Sequence, residues 1–208
     1  AFGIAVGLTL GTLAALVNGR WLDRVISMVA VVGLSVPVFW VAILLIIVFS
    51  ANLRWLPASG MNSPDGGFLT SLKHMIMPVL ASSLGTIGVT TRMTRVSLLQ
   101  MYGEDFVMTL RAKGLHGSQI LLHVLKNAAP PIMTVAGLQV GFLLGGSVLV
   151  ETIFAWPGMG QLIFQAISSR DLRIIQAAVL VIAMTFVLAN LAVDLLQTIV
   201  NPRLRRGV

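Results

Sequence analysis

Long uncharged stretches alternate with short polar segments along the whole chain. The stretches without a charged side chain are residues 1–19, 25–53, 75–91, 127–150 and 174–193. A bilayer core requires about 20 consecutive apolar residues in a helix, so the pattern predicts five membrane-spanning helices. Their expected bounds are about 1–18, 27–50, 76–97, 130–150 and 174–200. We therefore predict one all-α polytopic membrane domain that covers residues 1–208.

Prolines and small residues modify this helical pattern. Pro37 lies inside the second apolar stretch and predicts a kink there, whereas Pro78 suits the start of the third helix. Glycines recur every fourth residue in the first and fourth stretches, at Gly3, Gly7, Gly11, Gly137, Gly141 and Gly145. This spacing places small residues on one helix face, where a second helix can approach closely. Tight packing is the simpler interpretation, and a mobile helix contact is the alternative.

A polar insert at about 98–129 separates the third and fourth stretches. Residues from Glu104 to Lys113 have acids first, bases last and no glycine or proline, which predicts a helix that ends at Gly114. Ser118 is expected to cap a second helix over 119–128. The apolar side of the first helix would comprise Phe106, Leu110 and Met108. A short helix presented in this way could dock in a partner's groove or lie on lipid headgroups, and the residues alone leave both open.

Polar residues also occur inside two of the predicted spans. On one face of the fifth lie Asn190, Asp194, Gln197 and Asn201. The third span carries a milder series, Ser82 or Ser83, Thr86 and Thr90. Polar residues are costly in a bilayer, so each series predicts either a seam between packed helices or the wall of a water-filled route.

The segment 151–173 follows the fourth stretch and is too long for a turn. Leu162, Ile163, Ala166 and Ile167 predict a short helix that lies flat at the membrane surface. Three charged residues of this segment, Glu151, Arg170 and Asp171, are expected at the outer rim of the membrane domain. These are either solvated interface charges or contacts for a partner that delivers a substrate.

Composition and charge agree with a membrane protein. Of the 208 residues 57% are hydrophobic and 10% charged, with a mean hydropathy of +0.95 and a net charge of +7. When alternate loops are assigned to alternate sides, one side receives ten basic residues: Arg20, Arg24, Arg92, Arg95, Arg111, Lys113, Lys126, Arg203, Arg205 and Arg206. The other side receives four: Arg54, Lys73, Arg170 and Arg173. The positive-inside rule then places the central insert and the C-terminus in the cytoplasm. The basic charge thus reports topology and does not indicate nucleic-acid binding.

The sequence offers little for catalysis or metal binding. It contains no cysteine, and its three histidines, His74, His116 and His123, have no acidic residue placed to complete a metal site. The stretch "RAKGLHGS" lacks the order of residues that a phosphate-binding loop requires. We therefore expect a protein that is not an enzyme and has no cofactor or metal of its own, so that any ATP must be bound by a partner.

Several stretches resemble the inner-membrane permease subunits of binding-protein-dependent ABC transporters, within the type I importers. The most similar subgroup is the dipeptide, oligopeptide and nickel permeases. The stretches are "NGRWLDR", "SVPVFWVAILL", "RWLPASG", "LKNAAPPIMT", "GFLLGGSVLVETIFAWPGMGQL", "SSRDLRIIQA" and "NLAVDLLQTIVNPRLRR". The family's cytoplasmic motif reads Glu-Ala-Ala, three residues, then Gly. In that register this chain has Met108, Thr109, Leu110, Arg111, Ala112, Lys113 and Gly114. Met108 therefore stands in place of the family's glutamate, and Leu110 in place of its second alanine.

The resemblance implies the fold of a type I importer transmembrane domain, whose usual six spans would put one span and an external segment before this sequence. It implies a permease in the bacterial inner membrane that pairs with a second, similar permease and docks on two ATPase subunits, which bind ATP and magnesium. An extracytoplasmic binding protein would deliver a peptide or related small solute. The ATPase-coupling residues would be Met108, Leu110, Arg111, Ala112, Lys113, Gly114 and Leu115. Arg111 and Lys113 would meet the polar rim of the ATPase groove, Leu110 and Leu115 its apolar floor, and Gly114 would allow the turn. An ion-coupled carrier, a channel or a membrane anchor are the alternatives, with Asp194 as the one candidate ion site.

Overall fold

The computed structural model describes residues 1–60, 67–146 and 148–200, without the side chains of 144–146, 199 and 200. All regular structure in these residues is helical. The elements are α1 (Phe2–Leu16), α2 (Trp21–Ser35), α3 (Val38–Leu45), a π-helical segment (Ile46–Asn52), α4 (Phe68–Tyr102), α5 (Asp105–Ala112), α6 (Gly117–Gly146), α7 (Val148–Ile153), α8 (Met159–Ser168) and α9 (Leu172–Val200). The predicted all-α class is confirmed.

The long helix α4 is the centre of the bundle. Helices α1, α2, α3 and α6 all pack along it, whereas α9 packs mainly on α6 and α8. This arrangement explains why α4 buries a row of small polar residues while most of α9 stays exposed. One buried cluster lies at the α5 end of the bundle, around Leu98 and Val124, and a second lies near α7, around Met77 and Phe154.

Two of the described helices, α4 and residues Leu172–Thr198 of α9, are long and apolar enough to cross a membrane. A third candidate is the bent pair formed by α2 with Val38–Asn52. Helix α1 is apolar but shorter, at 15 residues. Within the described residues the five predicted spans coincide largely with helices, and their number in a bilayer stays a prediction.

The second predicted span is broken at Pro37, not merely kinked. The two helical pieces meet at an angle of 100°. Proline has no N–H group to continue the helix, and it disfavours helical backbone at the preceding residue. Val36 accordingly has an extended conformation (φ −81°, ψ 127°), so α2 ends at Ser35 and a new helix begins at Val38.

The other prolines behave differently from the sequence prediction. Pro78 lies inside α4 and does not begin it, and Pro130 lies inside an uninterrupted α6. Membrane helices tolerate proline where neighbouring structure supports both sides of it. Buried Ala128 and Ile132 flank the proline pair of α6 within one cluster. Packing therefore holds α6 continuous where the local sequence predicts a restart.

Candidate coupling and translocation sites

Helix α5 is the short helix that the polar insert presents. Its anchor is Val107, which is 2% exposed and packs in the cluster that contains Leu98 of α4 and Val124 of α6. Phe106 and Leu110 are half-buried against the same cluster. Phe106 and Leu110 thus share one apolar side, as predicted, and this side faces the chain's own cluster. The pattern missed Val107. Helix α5 is thus fixed to the ends of two long helices by its own apolar side.

The end of α5 matches the prediction closely. Gly114 has a left-handed backbone (φ +76°), its N–H donates to the Arg111 carbonyl at 2.9 Å, and the Leu115 N–H donates to the Leu110 carbonyl at 3.2 Å. This pair of bonds is the Schellman motif, in which a glycine reverses the chain and satisfies the last carbonyls. Leu110 and Leu115 both pack on the core cluster, which completes the motif with an apolar contact.

The opposite side of α5 is open to a partner. Met108 is 72% exposed, so its predicted place on the apolar side is wrong. The exposed face comprises Met108, Thr109, Arg111, Ala112 and Lys113. Leu110 and Leu115, which the family resemblance assigns to a partner's apolar groove, are instead largely occupied by the chain's own cluster.

The connection after α5 is only four residues long, and α6 starts earlier than predicted. Ser118 is not the cap, because the helix already begins at Gly117. The His116 N–H donates to the Gln119 Oε1 at 2.9 Å, and the His116 carbonyl accepts from the Ile120 N–H at 3.0 Å. His116 is therefore the N-cap residue of α6, and the Gln119 side chain accepts its N–H as in a capping box. The predicted second helix of the insert and the predicted fourth span are therefore one continuous helix, α6.

The predicted series Thr86 and Thr90 lies in the contact between α4 and α1. Both residues are buried, and they face the glycine stripe of α1. A Cβ added to Gly7 would lie 2.6 Å from the Thr90 Cβ, and one added to Gly3 would lie 3.1 Å from the Thr86 Cβ. Both threonines thus pack in a seam between the two helices, and Thr86 also lines the larger cavity along α4.

Among the residues that the structure describes, one side-chain hydrogen bond joins the polar face of α9 to another helix. The Gln197 Nε2 donates to the Thr134 Oγ1 of α6 at 3.0 Å, which supports a packing role for this residue. Asn190 is half-buried and Asp194 is exposed. Asn201 lies outside the described residues.

The charged residues of the predicted outer rim make hydrogen bonds at helix ends. Glu151 accepts a hydrogen bond from the Gln161 N–H in the first turn of α8, at 2.9 Å. Asp171 Oδ1 accepts from the Arg173 and Ile174 N–H groups and so caps α9. Arg170 has a left-handed backbone (φ 55°) at the end of α8. An aspartate just before a helical pattern is a capping signal, and it could have identified Asp171 from the sequence.

A buried ion pair connects α2 to α4, and the sequence pattern did not reveal it. The Arg95 Nε donates to the Asp23 Oδ1 at 2.6 Å and the Arg95 Nη2 to the Asp23 Oδ2 at 2.8 Å. The Asp23 side chain is 5% exposed and that of Arg95 is 27% exposed. The Gly19 N–H and the Ser27 hydroxyl also donate to the carboxylate. Seventy-two residues separate the partners, so no local spacing predicts their contact.

Two adjoining cavities lie along α4. The larger, of about 430 Å³, lies at the break between α2 and α3, with Ser82, Gly85 and Gln139 among its lining residues. The smaller, of about 180 Å³, is lined by Glu151 and Trp156 among others. Both share Ser82 and Val150. They are therefore neighbouring spaces along α4, between Glu151 and the break between α2 and α3.

Comparisons with known proteins place these features in a family. The family of binding-protein-dependent transport system inner membrane components matches residues 7–206. The chain is 41% identical to the dipeptide transport system permease protein DppB of Alkalihalophilus pseudofirmus, over 98% of the chain and 68% of that protein. It is 39% identical to DppB of Escherichia coli (98% and 67%) and 40% identical to the glutathione transport system permease protein GsiC of E. coli (98% and 64%).

A solved structure has the same fold. It belongs to the MetNI methionine ABC transporter in inward-facing conformations, with a TM-score of 0.74 and 18% sequence identity, over 96% of this chain and 88% of that one. At this identity the likeness concerns the fold alone. The family match and the 39–41% identities settle the membership. The chain belongs to the binding-protein-dependent transport system inner membrane component family and is a multi-pass permease subunit of an ABC importer.

Proposed function

We propose that the chain forms half of the translocation pathway of an ATP-driven importer for peptides or a related small solute. Its relatives are named for dipeptide and glutathione transport, and peptides and glutathione share amide bonds. The observation that carries the coupling part of the proposal is helix α5. It is anchored inside by Val107 and offers an exposed face from Met108 to Lys113.

Two ATPase subunits that bind ATP and magnesium would supply the energy. One of them docks on the exposed face of α5, where Arg111 and Lys113 offer charge-assisted hydrogen bonds. Helix α5 joins α6 through a stretch of four residues, 113–116, and α4 through Gly103 and Glu104. Because packed interiors transmit displacement and do not absorb it, a movement of α5 would pass into both long helices. A second, similar permease would supply the other half of the pathway.

The proposed orientation places α5 and the C-terminus in the cytoplasm of a bacterium, since that side carries most of the basic residues. The rim near Glu151 and Trp156 then faces an extracytoplasmic binding protein. The smaller cavity opens between these residues and α4. A solute released at the rim would meet this cavity first.

Affinity purification of the tagged chain from native membranes tests the proposal. An ATPase and a second permease should co-purify in amounts comparable to the chain. The paired charge reversals Arg111→Glu and Lys113→Glu should remove the ATPase and retain the second permease. Lys126→Glu, an exposed charge reversal on α6, serves as the matched control and should retain both. Retention of the ATPase by the α5 variant would contradict the docking site.

A further inference from the structure

We infer that the contact between α1 and α4 opens during the transport cycle, and that three threonines of α4 favour its opening. The inference goes beyond the proposed function, which gives α1 no part. Helix α1 packs mainly on α4, and large side chains on its other side are exposed, among them Phe2, Leu13 and Leu16. A helix with one main neighbour can move without displacing the rest of the bundle.

The contact seen in the structure, which we call the closed contact, is close and regular. The glycine stripe of α1 faces backbone carbonyls of α4 at the same spacing of four residues: Gly3 with Ser83, Gly7 with Ile87 and Gly11 with Thr91. A Cβ added to any of these glycines would lie between 2.6 and 3.1 Å from that carbonyl oxygen. Since both series rise together along the chain, α1 and α4 run parallel. Dispersion forces and Cα–H contacts with carbonyl oxygens stabilise a seam of this kind.

Within the described residues, the closed contact buries three hydroxyl groups that have no hydrogen-bond partner, those of Thr90, Thr91 and Thr94. Each of these threonines is 1% exposed, so bulk water does not serve as the partner. A buried donor without a partner carries the full free-energy cost of its removal from water, and folded proteins contain few such groups. Their concentration on one stretch of α4 therefore opposes the closed contact.

Packing against the glycines explains why these hydroxyls stay unpaired. Elsewhere in the described helices threonine hydroxyls donate to a carbonyl one turn earlier, at Thr9, Thr12, Thr109, Thr134, Thr152, Thr185 and Thr198. The methyl carbon of Thr90 instead lies 3.0 Å from the position of a Cβ on Gly7. That of Thr94 lies 3.1 Å from the position of a Cβ on Gly11. Methyl and hydroxyl turn together about the Cα–Cβ bond, so the contact that positions the methyl also fixes the hydroxyl.

Opening the contact would give the hydroxyls the bonds that they lack. When α1 withdraws, Thr90 and Thr94 can rotate and donate to the carbonyls four residues earlier in α4, those of Thr86 and Thr90. Close packing thus favours the closed state, and hydrogen bonding favours the open state. This balance keeps the two states close in free energy, which a contact that switches during transport requires.

Valine in place of the threonines tests this balance. Valine has the shape of threonine without the hydroxyl, so the triple variant Thr90→Val, Thr91→Val and Thr94→Val should favour the closed contact. In the assembled transporter it should raise the midpoint temperature of thermal unfolding by at least about 3 °C. It should also lower the uptake of radiolabelled dialanine by proteoliposomes, with the binding protein present, at least about fivefold.

Thr12→Val is the matched control, because the Thr12 hydroxyl donates to the Leu8 carbonyl at 2.8 Å. This variant loses a formed hydrogen bond, so it should not raise the midpoint temperature, and it should retain uptake. A midpoint that does not rise in the triple variant, or one that rises while uptake is unchanged, would overturn the inference.

A reversible disulfide tests the opening itself, and the chain contains no cysteine that would interfere. A Cβ on Gly3 would lie 3.1 Å from the Thr86 Cβ, so a small displacement brings Gly3→Cys and Thr86→Cys to the separation of about 3.5–4.5 Å that a disulfide requires. Oxidation of this pair, confirmed by mass spectrometry, should lower uptake at least about tenfold by holding the contact closed. Reduction should restore uptake.

Gly137→Cys with Val193→Cys is the matched control, since a Cβ on Gly137 would lie 3.2 Å from the Val193 Cβ. This pair joins α6 to α9 and should retain uptake when oxidised. Retained uptake in the oxidised pair of α1 and α4, or an equal loss in both oxidised pairs, would overturn the inference. Wild-type complexes that import no dialanine would contradict the proposed function alone, and ATP hydrolysis by the same variants then replaces uptake as the readout.

Discussion

Removing one partner from the Asp23–Arg95 ion pair is expected to destabilise the chain unequally. In Arg95→Met the carboxylate of Asp23 keeps the Gly19 N–H and the Ser27 hydroxyl but loses both guanidinium bonds. In Asp23→Asn the guanidinium stays charged. Its side chain is 27% exposed and can turn to water, whereas that of Asp23 is 5% exposed and cannot.

The exposed fractions of the Asp23 and Arg95 side chains determine how much stability each variant should lose. Leaving a charge buried without its partner costs about 3–5 kcal/mol, which is the expectation for Arg95→Met. Losing hydrogen bonds to a charged group that water can still reach costs about 1–3 kcal/mol, which is the expectation for Asp23→Asn. The double variant leaves no buried charge at this site. It should therefore be less destabilised than the sum of the single variants, by about 1–3 kcal/mol.

The assay is the temperature at which half of the purified complex loses its monodisperse chromatographic peak. At about 2–4 °C per kcal/mol for a chain of this size, Arg95→Met should lower that temperature by about 6–20 °C. Arg24→Met repeats the substitution at an exposed position of α2 and should change stability by less than about 0.5 kcal/mol. Equal losses in the two single variants, or strict additivity in the double variant, would refute the assignment of a desolvated Asp23.

Two further substitutions test local backbone and packing arguments. Gly114→Ala forces a side chain into a left-handed backbone (φ +76°) at about 1–2 kcal/mol, so ATP-driven uptake should fall while membrane insertion is retained. An added Cβ meets no atom at either Gly114 or Gly117, but only Gly114 has a left-handed backbone. Gly117→Ala is therefore the control, and equal uptake by the two variants would contradict the role of the Gly114 turn. Gly7→Leu places a Cβ 2.6 Å from the Thr90 Cβ and should lower the midpoint temperature through overpacking of about 1–3 kcal/mol. Ala5→Leu on the exposed face of α1 should not, and a similar loss in both would indicate a general intolerance of α1.

Local signals in the sequence were sufficient where a single turn decides the structure. The end of α5 at Gly114 depends on the charge order of residues 104–113 and on one glycine, all within one short segment. The glycine stripe likewise predicts a close helix contact, since Gly7 and Gly11 can pack only against a near neighbour. Such features depend on backbone geometry that the local residues determine.

Features that depend on distant residues were missed or misread. Pro37 predicts a kink and Pro130 the start of a new helix, yet the first breaks a helix by 100° and the second lies inside a continuous helix. The difference comes from buried neighbours such as Ala128 and Ile132, which the local pattern does not reveal. For Glu151 the local pattern predicts a solvated interface charge or a partner contact, because its hydrogen-bonding target, the start of α8, lies ten residues further on. The cavity near Gly85 likewise forms from five separate helices.

The central claim is that α5 couples this permease to an ATPase, and a single cysteine tests it most directly. The chain contains no cysteine of its own, so Met108→Cys gives one reactive thiol on the exposed face of α5. In native membranes a short bifunctional crosslinker should join this position to an ATPase subunit, with a yield that changes when ATP is added. Trp55→Cys, exposed near the predicted outer end, should give no such product. A Met108→Cys chain that crosslinks to no ATPase, while the complex still hydrolyses ATP and imports solute, would contradict the account.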